Sequence, residues 1–442
     1  LIADSIQAVG SVIEMDDDVN VIGAVSLGGD STFRNDWEPQ DVITVGAANA
    51  DFVLLDDAIA AITAGTNTLI DIAPGNYVVT GAPTLGSGIH VRGSGPNNTL
   101  INGPLTIEGY AFHLTFYGGM ATFNDATVSE CNFEDNVVAT GASFGYCNFR
   151  GDPIASSISI TDHAIFHDCQ IEVPVITSGV CKLSTNVIMN MVTIGGMGGI
   201  GEFTGNIFMG GAITVREADI YAEANLFTKD MEGMEVGPAI YILTGSAEIK
   251  ANHFVGRTLG AVSAFGGSVN MLSNDIINCG NEAEGAIAGM GAIVEVNLLG
   301  NHIDGKSGVI SPGINIVGGM DGVSGSIKDN IIEGHSVGVI LSGMNVEIQA
   351  MPIDNNIIRN NQNDGLMVGG GSGNYLIVHN TLYNNNLSGG MGVDLSNLGC
   401  ALVVSHNVVD TYSSAFSPVP GALNTTSSGI IWVGAPQVGQ LP

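Results

Sequence analysis

The sequence predicts an all-β fold, a right-handed parallel β-helix with a short N-terminal capping helix. Three observations favour this solenoid. An Asn with a Phe, Ile, Leu or Val two positions later recurs along the chain, short alternating strands without a helical period lie between the copies, and 63 of the 442 residues are Gly. Gly supplies the positive φ that tight turns need. Strands of three to five residues cannot bury a face alone, so they must stack coil upon coil.

The recurring Asn marks the coils. From Asn206 to Asn407, successive copies are 19 to 29 residues apart, and each strand should stack on its equivalent about 4.8 Å away. Asn tolerates left-handed backbone, and its side-chain amide can bond to the Asn above and below. We expect Asn301→Ala to cost about 1–3 kcal/mol. The predicted structural ladder consists of Asn225, Asn252, Asn274, Asn301, Asn330, Asn356, Asn380 and Asn407.

The N-terminal third carries a family resemblance. Residues 57–62, the segments TLIDIAPGNY (68–77) and GIHVRGSG (88–95), and residues 98–101 resemble the opening of right-handed parallel β-helix proteins of the pectate-lyase-like superfamily. The repeats from 120 to 410 resemble that superfamily's repeat, and in these proteins a short helix caps the first turn. The resemblance implies the fold and no single activity, because the superfamily includes lyases, hydrolases, epimerases, tailspikes, adhesins and envelope proteins.

Composition divides the chain into three segments. We predict an N-terminal cap or inter-subunit segment at 1–50, the solenoid at 51–410 and a C-terminal cap or tail at 411–442. The sequence opens at Leu1 rather than Met, which is the pattern of an exported product after signal removal. We therefore expect an extracellular, cell-surface or virion location, with which the sequons at Asn97, Asn386 and Asn424 agree.

The net charge of the chain restricts the kinds of molecule that it can bind. Only 11 Lys and Arg face 43 Asp and Glu, giving a formal net charge of -32, so nucleic acid and anionic lipid surfaces are poor partners. Apolar runs are too short for a membrane span. We expect no organic cofactor, and the acidic run Asp16, Asp17 and Asp18 is the predicted Ca²⁺ site.

Three cysteines share one register. Cys131, Cys147 and Cys169 each stand directly before a presumed turn residue, and Thr185 and Gly205 continue that column. The column is either a row of small inward residues, with Cys as a compact hydrophobe, or a set of stacked thiols close enough for a disulfide. The sequence leaves both interpretations open.

The acid–base candidates are weak. His163 and His167 lie four apart and would share a strand face, but counting back from Gln170 places His167 in the core. Polysaccharide lyases and epimerases of this fold need a cationic base with carboxylates, and the best local group is Arg359 with Asp354 and Asp364. We predict no catalytic residue.

Apolar residues at predicted outward positions suggest an interface. Phe144, Phe166 and Tyr221 stand four residues before presumed turn residues, and Trp432 lies in an isolated apolar patch. Charged residues are 12 % of the chain, about half of the usual share. We predict a homo-oligomer or polymer, an exported self-assembling structural protein of a cell envelope, sheath, extracellular filament or virion. The alternative is a β-helix that binds or cleaves polysaccharide, as a lyase, epimerase or tailspike does, with carbohydrate as its partner.

Overall fold

The structure is a computed structural model of the 442-residue chain. Every element below belongs to the unit Gln40–Pro442. The predicted Ca²⁺ site at Asp16, Asp17 and Asp18 lies outside the described residues. These are 39–46, 48–62, 66–229, 237–281, 285–291, 294–305, 311–318, 323–343, 351–369, 375–385, 393–397, 402–405, 407–410, 425–428 and 431–433.

The described strands form two parallel sheets. The larger has 30 strands in two files, and three long strands, Met191–Thr204, Ala212–Glu223 and Ile240–Lys250, belong to both files. The first file also holds Thr84–Leu85, Leu105–Ile107, Ala121–Asn124, Val137–Thr140, Ile158–Ile160, Val175–Thr177, Val262–Ala264, Ile287–Gly291, Ile314–Gly318, Val339–Gly343, Leu366–Gly369 and Val393–Asn397. The second file also holds Asp41–Val45, Thr68–Ile72, Ile89–Gly93, Tyr110–Phe112, Thr127–Ser129, Ala142–Gly145, His163–His167, Val180–Ser184, Gly267–Leu272, Val294–Leu299, Val323–Lys328, Met351–Asp354, Tyr375–Val378, Leu402–Ser405 and Thr425–Ser428.

The smaller sheet has 17 short strands, each of which follows a strand of the second file in the chain. Its parallel register, coil by coil, confirms the predicted right-handed parallel β-helix. Its strands are Gly75–Val78, Thr99–Asn102, Thr115–Tyr117, Asn132–Phe133, Asn148–Phe149, Gln170–Ile171, Val187–Ile188, Ile207–Met209, Leu226–Thr228, His253–Val255, Asp275–Ile277, His302–Asp304, Ile331–Glu333, Ile357–Arg359, Thr381–Tyr383, Val408–Asp410 and Ile431–Val433.

The paired strands extend further than the segment predicted for the solenoid. Asp41–Val45 pairs in register with Thr68–Ile72, and Ile431–Val433 pairs with Val408–Asp410. The one helix of the described residues, Leu55–Ala61, buries Leu55 and Ala58 and packs on the strands Asp41–Val45 and Gly75–Val78. Its role as an N-terminal cap remains a prediction.

The recurring Asn side chains form a buried ladder at the turn into the 17-stranded sheet. Asn301 Nδ2 donates to Asn330 Oδ1 at 3.0 Å and to the Met271 carbonyl at 3.1 Å. Its Oδ1 accepts from the backbone N–H and the Nδ2 of Asn274, at 3.0 and 2.9 Å. The same side-chain bond links Asn186, Asn206, Asn225, Asn252, Asn274, Asn301, Asn330, Asn356, Asn380 and Asn407 in succession.

The cysteine column is the upstream continuation of this ladder. The Cys169 N–H donates to Asn186 Oδ1 at 2.9 Å, and Gln170 pairs with Val187. The predicted continuation through Thr185 and Gly205 is therefore wrong by one residue; those two positions hold the left-handed backbone that precedes the ladder, with φ of 56° and 64°. Cys131, Cys147 and Cys169 are buried free thiols in this structure, without a disulfide.

The same one-residue error in register assigned side chains of the early strands to the wrong face, so that residues predicted to point outward in fact point into the core. Phe144 and Phe166 are fully buried and stack with ring centroids 4.8 Å apart, so their assignment to an outer interface is wrong. Alternation of faces does not continue through a left-handed residue, and Asp168, with φ of 53°, stands between Phe166 and the turn. His167, placed in the core by the same count, is partly exposed.

Of the four predicted interface residues, only Tyr221 is shown on the surface, at 50 % exposure. Trp432 belongs to the strand Ile431–Val433, and its side chain lies outside the described part. The outward position four before the ladder is mostly polar. Thr127, Ser143, Lys182, Glu202, Glu248, Asn270, Asn297 and Ser326 occupy it in most coils, and Ile165, Tyr221, Pro352 and Leu376 occupy it in the others.

Candidate functional site

A row of polar side chains runs along the outer face of the 17-stranded sheet. In its later strands of three residues, the middle side chain is buried and the two flanking side chains point outward; Phe254 and Ile303 are examples of the buried kind. Because strands of equal register stack directly, outward residues of successive coils become neighbours. Six successive coils contribute one member each to what we call the polar row: His253, Asp275, His302, Glu333, Arg359 and Tyr383.

The first half of the row is a carboxylate between two imidazoles. His253 Nδ1 lies 2.9 Å from Asp275 Oδ2, and His302 Nδ1 lies 2.9 Å from Asp275 Oδ1. Each carboxylate oxygen thus accepts from one ring, which fixes both rings in orientation. All three side chains are a little over two-fifths exposed, so solvent or a ligand reaches them.

The second half of the row is built around Arg359. Its Nε and Nη2 donate to the two oxygens of Glu333 at 2.6 and 3.1 Å, a bidentate pair. Its Nη1 donates to the Tyr383 hydroxyl at 2.8 Å, and its guanidinium carbon lies 5.9 Å from the centroid of that ring. The hydrogen bond from Arg359, assisted by His302, lowers the pKa of Glu333 below its usual value, and Glu333 in turn raises the pKa of Arg359.

His302 joins the two halves. Its second nitrogen, Nε2, lies 3.3 Å from Glu333 Oε1. An ionised carboxylate only accepts hydrogen bonds, so both contacts of this ring are satisfied together when both ring nitrogens carry protons. The row is then a continuous alternation of donors and acceptors from His253 to Tyr383.

The other sequence candidates lie apart from this row. His163 and His167 each contact the adjacent residue, Asp162 and Asp168, rather than each other. The Asn ladder is buried beneath the surface, one or three residues before the row positions in the chain.

Arg359 belongs to the site, but with different partners from those the sequence suggested. Asp354 pairs with His379 at 3.0 Å and Asp364 is largely buried. The signal for the true partners was the column one residue after the ladder Asn, which holds His253, Asp275 and His302, together with the column three residues after it, which holds Glu333, Arg359 and Tyr383.

Within the described residues, no three His, Cys, Asp or Glu side chains form a group able to hold a metal ion. The predicted Ca²⁺ requirement therefore remains a prediction for the segment of Asp16, Asp17 and Asp18. No helix among the residues that the structure covers is long and apolar enough to cross a membrane.

Comparisons with known proteins find similarity only among solved structures. No family profile and no curated protein matches the sequence. The catalytic unit of an α-1,3-glucanase from Streptomyces thermodiastaticus is 12 % identical over 84 % of this chain and 66 % of that one, with a TM-score of 0.35. Tailspike protein 3 of bacteriophage CBA120 is 11 % identical over 84 % and 57 %, with a TM-score of 0.38. The chain thus spans less than two thirds of each.

Another similar structure is the periplasmic alginate epimerase AlgG, 10 % identical over 86 % of this chain and 83 % of that one, with a TM-score of 0.30. The prediction of a self-assembling structural protein is wrong. Its main support, a wall of outward aromatic residues, disappears because Phe144 and Phe166 are buried.

Proposed function

We propose that this chain binds a polysaccharide along the polar row, as the alternative interpretation of the sequence suggested. One observation carries the proposal. Six successive coils place hydrogen-bonding side chains in a continuous, partly exposed row on one sheet face, from His253 to Tyr383. A row of repeated polar groups is suited to a ligand that is itself a repeat.

The spacing of the row fits a chain of sugars. Neighbouring coils are about 4.8 Å apart, which is close to the length of one pyranose residue in an extended polysaccharide. Carboxylate, imidazole and guanidinium groups are planar and can each meet two adjacent hydroxyls, while the Tyr383 ring offers an apolar face to a sugar ring. The internal bonds of the row hold these groups in place before binding, which lowers the entropy lost on association.

The geometry favours binding over hydrolysis by a pair of carboxyl groups. Hydrolysis of a glycosidic bond by two carboxyls needs one of them protonated as the general acid. Glu333 is kept ionised by Arg359, and Asp275 lies within hydrogen-bond distance of two imidazoles. Both carboxylates of the row therefore act as acceptors, a role suited to sugar hydroxyls.

An extracellular, cell-surface or virion location suits a polysaccharide ligand and is part of this proposal. The homo-oligomer expected from the sequence stays a prediction as well; Tyr221 is the one residue of the predicted interface that the described structure shows on the surface.

A panel of immobilised and soluble polysaccharides tests the proposal. We expect binding by the wild type and a loss of about tenfold or more in Arg359→Ala and in Tyr383→Ala, since each removes a charge-assisted or stacking contact. Lys250→Ala is the matched control, because Lys250 forms a comparable exposed ion pair with Glu223 on the other sheet, at 2.8 Å. Binding that survives both row variants, or no binding to any glycan of the panel, would refute the proposal.

A further inference from the structure

This inference rests on the proposed function and narrows the ligand. We infer that the polar row takes a neutral glycan and rejects polyuronates and other polyanions. The reason is the charge state of the row itself. Two carboxylates, Asp275 and Glu333, face one guanidinium and, when both its contacts are donors, one imidazolium at His302. Arg359 is the one permanent cation of the row, and it stands against two carboxylates.

Arg359 is the strongest cation of the row, and it is already engaged. Both its side-on donors bind Glu333, and the third nitrogen binds the Tyr383 hydroxyl. A uronate carboxylate that took over this bidentate contact would have to replace Glu333, whose side chain is only 17 % exposed. Removing the partner of a partly buried carboxylate leaves that charge uncompensated, so the exchange is unfavourable. The two N–H groups of Arg359 that remain can meet a sugar hydroxyl, but they belong to a guanidinium whose charge Glu333 already offsets.

The imidazoles are engaged in the same way. His302 contacts carboxylates through both ring nitrogens, and His253 contacts Asp275 through Nδ1. Asp275 and Glu333 keep unused lone pairs, which can accept hydrogen bonds from a ligand. The hydroxyl groups of a neutral sugar can donate those hydrogen bonds. An anionic sugar would add a third carboxylate to the row.

Four other cations of the described surface are also paired with carboxylates of the chain: Arg92 with Asp71, Arg150 with Glu172, Lys182 with Glu202 and Lys250 with Glu223. Arg216, Lys229 and Lys328 lie outside these ion pairs and outside the polar row. The net charge of -32 adds a repulsive field, which salt screens beyond about 8–10 Å. The ion pairs and hydrogen bonds of the polar row itself, rather than the net charge of the chain, thus decide which glycans bind.

Calorimetry with matched hexasaccharides tests this inference. The neutral set contains gluco-, manno- and xylo-oligosaccharides, and the anionic set contains galacturonate and mannuronate oligomers, all at pH 7.5. We expect the best neutral ligand to bind at least about tenfold more tightly than any uronate and to change little with added salt, because no counterions are released. In Glu333→Gln, which frees Arg359, uronate affinity should rise about fivefold or more.

Glu223→Gln, which frees Lys250 on the other sheet, is the control and should leave both affinities unchanged, with melting curves checking the fold of each variant. Uronates that bind the wild type as well as or better than neutral sugars, and lose affinity in Arg359→Ala, overturn this inference and leave the proposed function standing. Failure of Glu333→Gln to gain uronate affinity also overturns it. Failure of both sets to bind refutes the proposed function itself.

Discussion

Replacement of one ladder residue, Asn301→Ala, gives the most direct test of what holds the solenoid together. Asn301 makes four hydrogen bonds in a site that is 1 % exposed. Alanine removes all four and leaves the backbone N–H of Asn274 without an acceptor inside the protein. It also strips a donor from Asn330 Oδ1 and from the Met271 carbonyl.

The magnitude follows from the groups left unpaired. Each buried donor or acceptor that loses its partner costs about 1–3 kcal/mol. Two donor hydrogens lose their acceptor: the backbone N–H of Asn274 and one of the two hydrogens on its Nδ2, whose other hydrogen keeps the Ile249 carbonyl. Met271 O and Asn330 Oδ1 are acceptors, which tolerate the loss better than donors, and Asn330 Oδ1 keeps the backbone N–H of Asn301. We therefore expect a decrease of about 2–6 kcal/mol in the free energy of unfolding, at or above the range expected from the sequence alone.

Urea denaturation followed by far-ultraviolet circular dichroism measures this change, and Asn297→Ala is the control. Asn297 lies four residues earlier, on an outward position. Its Nδ2 donates to Asn270 and Glu295 at 2.9 and 3.1 Å, and its Oδ1 accepts from the Ser326 hydroxyl at 3.1 Å. Its loss should cost no more than about 1 kcal/mol, because water replaces those partners. Equal denaturation midpoints for the two variants would refute the ladder argument, and so would an Asn301→Ala protein that keeps its stability but loses glycan binding.

Three further predictions concern buried groups. Burial lowers the pKa of His335 to about 4 from the ordinary 6.5. The neutral ring therefore contributes its full share to the free energy of unfolding above pH 6.5, and about 3 kcal/mol of that free energy is lost as the pH falls to 4. His335→Leu should flatten that part of the stability curve, measured by denaturation at pH 7 and 4.5, and an unchanged slope would contradict the assignment. Phe166→Glu should prevent folding, because it buries a charge, whereas Tyr221→Glu should give wild-type circular dichroism; a folded Phe166→Glu protein would contradict the inward register. Burial raises the pKa of the Cys131 thiol to about 12, so a thiol reagent should modify it only at the rate of unfolding, and fast labelling of the native protein would show the column to be accessible.

The sequence was sufficient for the parts of the fold that depend on repetition. The spacing of Asn225, Asn252 and Asn274 defines the coil length, and a residue that recurs once per coil must stack on itself in a solenoid. The same spacing predicts the buried amide ladder that the structure contains. The predicted boundaries of the solenoid stay a prediction; the paired strands Asp41–Val45 and Ile431–Val433, which lack the Asn phrase, lie beyond them.

Side-chain direction was harder to predict because it depends on a single backbone angle per coil. The left-handed residue before the ladder, Asp168 in one coil and Thr185 in the next, breaks the two-residue alternation of a strand. A count carried through it assigns Phe166 to the wrong face. The polar row was missed for a related reason, since His302 and Glu333 pair only across coils, at positions one and three residues after their own ladder Asn.

The register shift also explains why the recurring Asn motif has two different structural roles, one in the early coils and another in the later coils. In the coils of Cys131 and Cys147 the inward ladder position is a thiol, and the amide stands one residue later, on the outer face, where Asn148 Nδ2 donates to Asn132 Oδ1 at 3.0 Å. From Asn186 onward the amide side chain lies inside the solenoid. The residue after it points outward and no longer contributes to a ladder. That outer position is then free to carry His253, Asp275 and His302. The inward move of the amide ladder is therefore what makes room for the polar row, so a binding function should depend on the later coils and tolerate Asn148→Ala.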